Sequence, residues 1–230
     1  MNVLDSSGYE AWVGGRFGDR LADQAFRCIE EQIVTLQLPP GSVWSEVTLS
    51  ERLGIGRTPI REAVQRLAAD RIVVIRRRHG IMISEINIQE QLLVLEVRQQ
   101  LERLLASRAA RRALPDERVT LARLGEAMET SGVDGDVIRF LRKYFDVKEY
   151  VCRCARNAYA ARAIAPLYTF SRRFYFLHHR KLNDLATVAR LHADLARAVT
   201  AGDEQAAADA SDRIAEYAIA FTKRILTEQF

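Results

Sequence analysis

Residues 49–84 read LSERLGIGRTPIREAVQRLAADRIVVIRRRHGIMIS. Gly54-Ile55-Gly56 is a tight turn, because glycine tolerates the positive φ that such turns need. Upstream, Ser45 caps a short helix that ends at Leu53. Downstream, Thr58-Pro59 opens another, since threonine is a good N-cap and proline suits the first helical position. Ile60, Ala63, Val64 and Leu67 lie within about 100° of one another on a helical wheel and form a core-facing stripe. Thr58, Arg61 and Gln65 lie on another face, with Arg57 at the leading end. Ile72 to Arg76 is β-branched and weakly alternating, His79-Gly80 is a turn, and Ile81 to Ser84 returns, which makes a small hairpin. The order helix, glycine turn, helix, hairpin predicts a winged helix-turn-helix.

Working outward, a first helix is expected from about 19 to 37, with Leu21, Ala25, Cys28, Ile29, Ile33 and Leu36 as its apolar stripe. It stops at Leu38-Pro39-Pro40-Gly41, where proline cannot continue a helix. Residues 1–18 carry no sustained period and read as a mobile arm. They also lack a basic stretch leading into an apolar core, so they are no signal peptide. No run approaches the roughly 18 apolar residues that a membrane helix needs. Both readings lead to the expectation of a cytoplasmic protein.

Charge sharpens the expectation. Between Arg52 and Gly80 eight arginines stand against two acids, a balance of +6, while the whole chain carries only +4. A basic excess confined to one segment is the footprint of a nucleic-acid contact surface. A recognition helix enters the major groove with its N-terminal side chains leading. Arg57 and Arg61 can each offer forked donors to guanine or phosphate, with Thr58 and Gln65 on the same side. If Thr58 caps the helix, nearby backbone N–H groups face a phosphate. Arg77, Arg78, His79 and Gly80 form the tip that flanks the adjacent groove.

The segments Leu38-Pro39-Pro40-Gly41, Ser45-Glu46, Leu49 to Gly54 and Arg57 to Ala63 together resemble the GntR family of bacterial regulators. The resemblance implies a homodimer that binds a palindromic double-stranded operator, most simply as a repressor. The family usually has Ser or Thr where this chain has Gly56, and some members have a basic residue where it has Val47.

Beyond a connector at 85–87 the chain reads as helix. Segments at about 88–112, 116–131, 135–156, 158–180, 184–201 and 204–229 are separated by Pro, Gly, Asn or Asp breaks. The fold class is therefore mainly α. A winged helix-turn-helix at 19–84 is followed by an all-α six-helix bundle at 85–230.

The second region resembles the FCD effector domain of the FadR subfamily, on Glu96-Val97-Arg98, Leu101-Glu102, Asp146, Ala155, Asn157, His192, Ala198 and Gly202-Asp203. The resemblance implies a small-molecule effector, a dimerising bundle and, in many members, a metal held by one Asp and three His. Asp146 and His192 match two of those positions; Tyr150 and Ile214 stand at the other two. A phenol is a weak ligand and isoleucine none, so no metal cofactor is expected. The candidate ligand set is Arg98, Asp146, Tyr150 and His192. Arg98 can grip a carboxylate bidentately or simply pair with Glu102, four residues on. Asp146 and Tyr150 can hydrogen-bond at i,i+4 or fill core.

The effector expected is a carboxylate, an aromatic compound or an acyl thioester. The aromatic run Tyr168, Phe170, Phe174, Tyr175 and Phe176 is read as core or dimer seam ahead of pocket lining. Cys28, Cys152 and Cys154 read as buried thiols, because an odd count without an export signal is no disulfide framework. No catalytic constellation is present, so the chain is read as a non-enzyme. The competing reading is a ligand-independent regulator with a degenerate pocket.

Overall fold

The computed structural model describes residues 20–133, 135–181 and 184–228. The arm expected at 1–18 and the Leu182-Asn183 break lie outside them. Two compact units part between Ile86 and Asn87.

The first unit contains α1 (Leu21–Val34), β1 (Val43–Trp44), α2 (Glu46–Leu53), α3 (Arg57–Ala69), β2 (Val73–Arg76) and β3 (Gly80–Ile83). α1 buries Ala25, Cys28, Ile29 and Ile33 as its stripe requires, but Leu21 is exposed. The helix ends three residues earlier than its apolar period suggests. Leu36 takes a left-handed φ of 56°, and the Leu38 N–H reaches back to the Gln32 carbonyl at 3.0 Å. This closing bond satisfies an orphan carbonyl and swings Leu38 fully into the core.

Ser45 caps α2 by accepting the Thr48 N–H at 3.0 Å. Gly54 then turns the chain at φ 64°. α3 starts one residue before the expected cap. Gly56 is its N-cap and makes no side-chain bond, so Thr58 lies within the first turn. The sheet has three antiparallel strands in the order β1-β3-β2, with Val43 opposite Met82 and Val73 opposite Ile83. The two-residue β1 was not anticipated, because so short a strand has no readable period.

Among its described residues the second unit has six α-helices: α4 (Ile88–Arg112), α5 (Pro115–Ser131), α6 (Val137–Ala155), α7 (Ala158–His178), α8 (Leu185–Ala201) and α9 (Glu204–Thr227). Pro115 opens α5, and the Glu117 carboxylate takes the Leu114 N–H at 2.9 Å. α7 runs on through Pro166. α4 is the common partner of α6, α7, α8 and α9. α5 lies close along α8, where a Cβ added at Gly125 or Gly132 would come 2.9 Å or 2.5 Å from the methyls of Ala196 or Ala189. Among the described residues, no helix is long and apolar enough to cross a membrane.

Candidate nucleic-acid interface and helical-unit cavity

α3 divides cleanly. Ile60, Ala63, Val64 and Leu67 are buried, which fixes the helix against its neighbours and leaves Arg57, Thr58, Arg61 and Gln65 exposed. Pro59 has no N–H and Gly56 supplies no cap. The N–H groups of the first turn are therefore not consumed by a side chain, which suits an approaching phosphate.

Arg61 is already engaged. Its guanidinium donates to both oxygens of Glu46 at 2.8–3.1 Å. That bond, together with the charges of Arg61 and Arg57, holds the Glu46 carboxyl below its usual range. Glu46 was not picked out as a partner in sequence, because it lies on another helix, fifteen residues away.

The other arginines of the basic run have different uses. Arg66 pairs with Asp23 at 2.7 Å and stacks over Phe26 at 4.3 Å. Arg52 donates to the Gln32 side chain at 2.7 Å and sits over Trp44. These two bind the unit's own helices together. Arg77, Arg78 and His79 form the exposed hairpin tip, with Arg78 in the left-handed region at φ 67°. Gly80 is glycine for a packing reason. At φ 94°, a Cβ there would stand 2.6 Å from the Trp44 carbonyl oxygen of β1.

In the helical unit an interior cavity of about 50 Å³ is walled by Arg98 of α4, Tyr144 of α6, Phe174 and Tyr175 of α7, His192 of α8 and Ile214 of α9, among others. Of the four expected ligand-site residues, Arg98 and His192 reach it. Asp146 and Tyr150 do not line it, which corrects their expected place. Two residues along a helix is a rotation of about 200°, so Tyr144 lines the cavity instead, while Lys148, four residues on, reaches the buried Glu102. Asp146 is buried elsewhere, 3.4 Å from Lys143, and Tyr150 lies under the Arg153 guanidinium. The signal was available: Phe140, Tyr144, Val147 and Val151 form the buried stripe of α6. An inward lysine is rare enough to have been passed over.

Of the aromatic run, Tyr168 and Phe174 are buried in the core, and Phe174 and Tyr175 also line the cavity. Among the thiols, Cys28 and Cys154 are buried, while Cys152 is only partly so and lies 3.9 Å from the Tyr168 hydroxyl.

A buried charge cluster adjoins the cavity. Glu102 receives Arg98 on Oε1 at 2.6 Å and Lys148 on Oε2 at 2.6 Å. Burial alone would raise the Glu102 carboxyl, but the two cations hold it down at about 2. Burial pushes the Lys148 ammonium below its usual value, against the pull of Glu102. Arg98 also donates to the Tyr144 hydroxyl at 2.8 Å, and burial pushes that phenol up to about 12. His192 Nδ1 faces the Val188 carbonyl at 2.8 Å. Burial pushes its ring down to about 3, with the Lys148 charge acting in the same direction.

This donor set matches a divalent ion poorly: one imidazole and one phenol beside two buried cations. Among the described residues, no group of three His, Cys, Asp or Glu side chains gathers.

The FCD domain family matches residues 93–216, and the gntR family of bacterial regulatory proteins matches residues 21–83. An HTH-type transcriptional regulator of Agrobacterium vitis, from the TAR-I ttuE-ttuC' intergenic region, is 34% identical over 105 residues, covering 46% of this chain and 61% of that protein. The HTH-type transcriptional repressor RspR of Escherichia coli is 32% identical over 87 residues, 38% of each chain. The chain thus spans less than two thirds of either relative. Among solved structures, E. coli McbR/YncC superposes with a TM-score of 0.79 at 18% identity, over 90% of this chain and 99% of that one. A GntR regulator from Rhodococcus sp. RHA1 gives 0.66 at 16% identity, over 87% and 96%. At those identities the likeness is one of fold.

Proposed function

We propose, from the premise that this chain belongs to the gntR family of bacterial regulatory proteins and carries an FCD domain, that it is a cytoplasmic, ligand-responsive repressor acting as a homodimer on a palindromic operator. The observation that carries the DNA half is the division of α3. Its apolar face is buried, and Arg57, Thr58, Arg61 and Gln65 are left together on the open side. Arg57 and Arg61 read base edges or phosphate, and Arg77, Arg78 and His79 follow the neighbouring groove. The repressor sense is taken from RspR, the relative that bears that description. The effector half rests on the walled cavity of the FCD unit. FadR-type effector logic, with ligand and operator opposing each other, completes the reading. Such coupling is reciprocal, so DNA weakens ligand binding by the same factor.

The test is operator affinity, measured by fluorescence anisotropy on a duplex selected from a random pool. Arg57→Ala and Arg61→Ala each reduce affinity about 10- to 100-fold and lower the salt slope by about one. The dimer remains intact by sedimentation. Unchanged affinity in both variants would remove α3 as the reading element.

A further inference from the structure

We propose that Val47 is a specificity-determining residue: its exposed isopropyl group packs on the C5 methyl of an operator thymine in the major groove. This rests on the reading of α3 as the recognition helix, and adds a base position read from α2.

Placement comes first. Val47 is the second residue of α2, and buried Leu49 pins that helix to the core. Its neighbour Glu46 accepts from Arg61 Nη2 at 2.8 Å, which brings the first turn of α2 beside the open face of α3. A side chain that points out of this turn therefore shares the surface presented by Arg57, Thr58, Arg61 and Gln65.

The exposure of an apolar group there comes second. Among the described residues of α2, α3 and the turn between them, Val47 is the one large apolar side chain left exposed, at 43%. Val43 and Val74 are exposed as well, but they flank Met82 across the sheet. Val47 follows Ser45 and Glu46, and the positions three and four further along its helix are Ser50 and Glu51. Nothing apolar therefore continues its face of α2.

The chemistry of the groove then selects the partner. Base edges in the major groove present donors and acceptors, and the thymine C5 methyl is the apolar group among them. Valine neither donates nor accepts, so packing it on any other edge leaves a polar atom without its bond. The Glu46 carboxylate beside it repels phosphate, so the start of α2 faces base edges and not the backbone. Packing valine on the methyl removes both apolar surfaces from water.

The test uses the full chain and a duplex selected from a random pool, read by fluorescence anisotropy. Each thymine is replaced in turn by deoxyuridine, which removes the methyl and nothing else. One thymine per half-site loses about fourfold in affinity on demethylation, the equivalent of the ~0.8 kcal/mol of one buried carbon. Val47→Ala loses a similar factor on the methylated duplex and becomes indifferent to demethylation at that position, so the two changes are coupled. Its affinity for an unrelated duplex, its salt slope and its Tm stay those of the parent. Selection repeated with Val47→Ala no longer enriches thymine there. A selected operator without a fixed thymine, a silent deoxyuridine series on the parent, or equal losses in parent and variant overturns the proposal. So does a loss in Val47→Ala that is the same on every duplex, which is a backbone contact. If Arg57→Ala and Arg61→Ala still weaken binding in those cases, α3 keeps its role and only Val47 loses its own. If neither arginine variant weakens binding, the reading of α3 falls, whatever the deoxyuridine series shows.

Discussion

The two units use the same residue type in opposite ways. In the first, every arginine from Arg52 to Arg78 is exposed, and the Arg61–Glu46 salt bridge on the reading face stands in solvent with the arginine 54% exposed. In the second, Arg98 and Lys148 share Glu102 in the interior, with side chains 2–6% exposed. The geometries are alike, with contacts of 2.8 Å in the first and 2.6 Å in the second. Solvent makes the difference. An exposed pair gives up little when it separates, so Arg61 can leave Glu46 for a phosphate. A buried pair cannot separate without stranding a charge. The first arrangement suits a surface that exchanges partners; the second suits a fixed field around a cavity.

The sharpest way to break that contrast is to make the same substitution in both units. Glu102→Gln leaves two interior cations without their carboxylate and costs about 3–5 kcal/mol. For a unit of this size that is a fall in Tm of roughly 10 °C. Glu46→Gln leaves Tm unchanged within measurement and strengthens operator binding, because Arg61 loses its competitor. Differential scanning calorimetry of the two variants beside the parent decides it. Equal Tm changes would mean that burial is not what separates the two pairs.

A smaller effect comes from pH. The His192 ring sits at about 3 when folded, below the ordinary value near 6.5. The unfolded chain therefore takes a proton below about 6.5 that the folded chain refuses. Stability is full above that pH and declines as pH falls through the window between about 6.5 and 3. The slope approaches about 1.4 kcal/mol per pH unit. Glu102, held at about 2, adds a second loss that begins only below its ordinary value near 4.3. His192→Gln should flatten urea-measured stability between pH 6.5 and 4.5 and leave the steeper acid limb in place. A parent curve already flat across that window would show His192 to be less buried than its surroundings imply.

The same contrast explains what could be read from sequence. The six helices of the second unit and the turn chemistry around Gly54 follow from period and capping residues, and they appear where those cues place them. The exposed arginines are legible because a run of like charge has only solvent to face. The cavity is less legible because its residues come from five helices, and no local pattern records which faces meet. Asp146 and Tyr150 share their i,i+4 spacing with Tyr144 and Lys148, so only the register of the apolar stripe tells which pair meets the Arg98–Glu102 cluster. Even that stripe places a lysine inside, which composition alone argues against. His192 and Ile214 were placed by the family resemblance, and both reach the cavity wall.

The smallest expected change tests the exposed surface alone. Gly56 is the N-cap of α3 at φ −58° and ψ 154°, an ordinary extended conformation open to any residue. A Cβ there meets nothing closer than Pro59 Cδ at 3.9 Å, so Gly56→Ser fits without strain. A cap hydroxyl accepts from the second or third residue of the helix, but the third here is Pro59, which has no N–H. Only the Thr58 N–H remains. Ser45, by contrast, reaches the third residue of α2, Thr48, directly. Gly56→Ser should therefore stabilise the first unit by no more than a few tenths of a kcal/mol. Its larger effect is on DNA. The hydroxyl keeps its proton to donate to a phosphate at the helix start, which raises operator affinity while adding no charge. The slope of log affinity against log salt then stays that of the parent, which a salt titration by anisotropy reads directly. A steeper slope would mean that the serine had recruited a further cation to the duplex, and the start of α3 would then be working through its arginines alone.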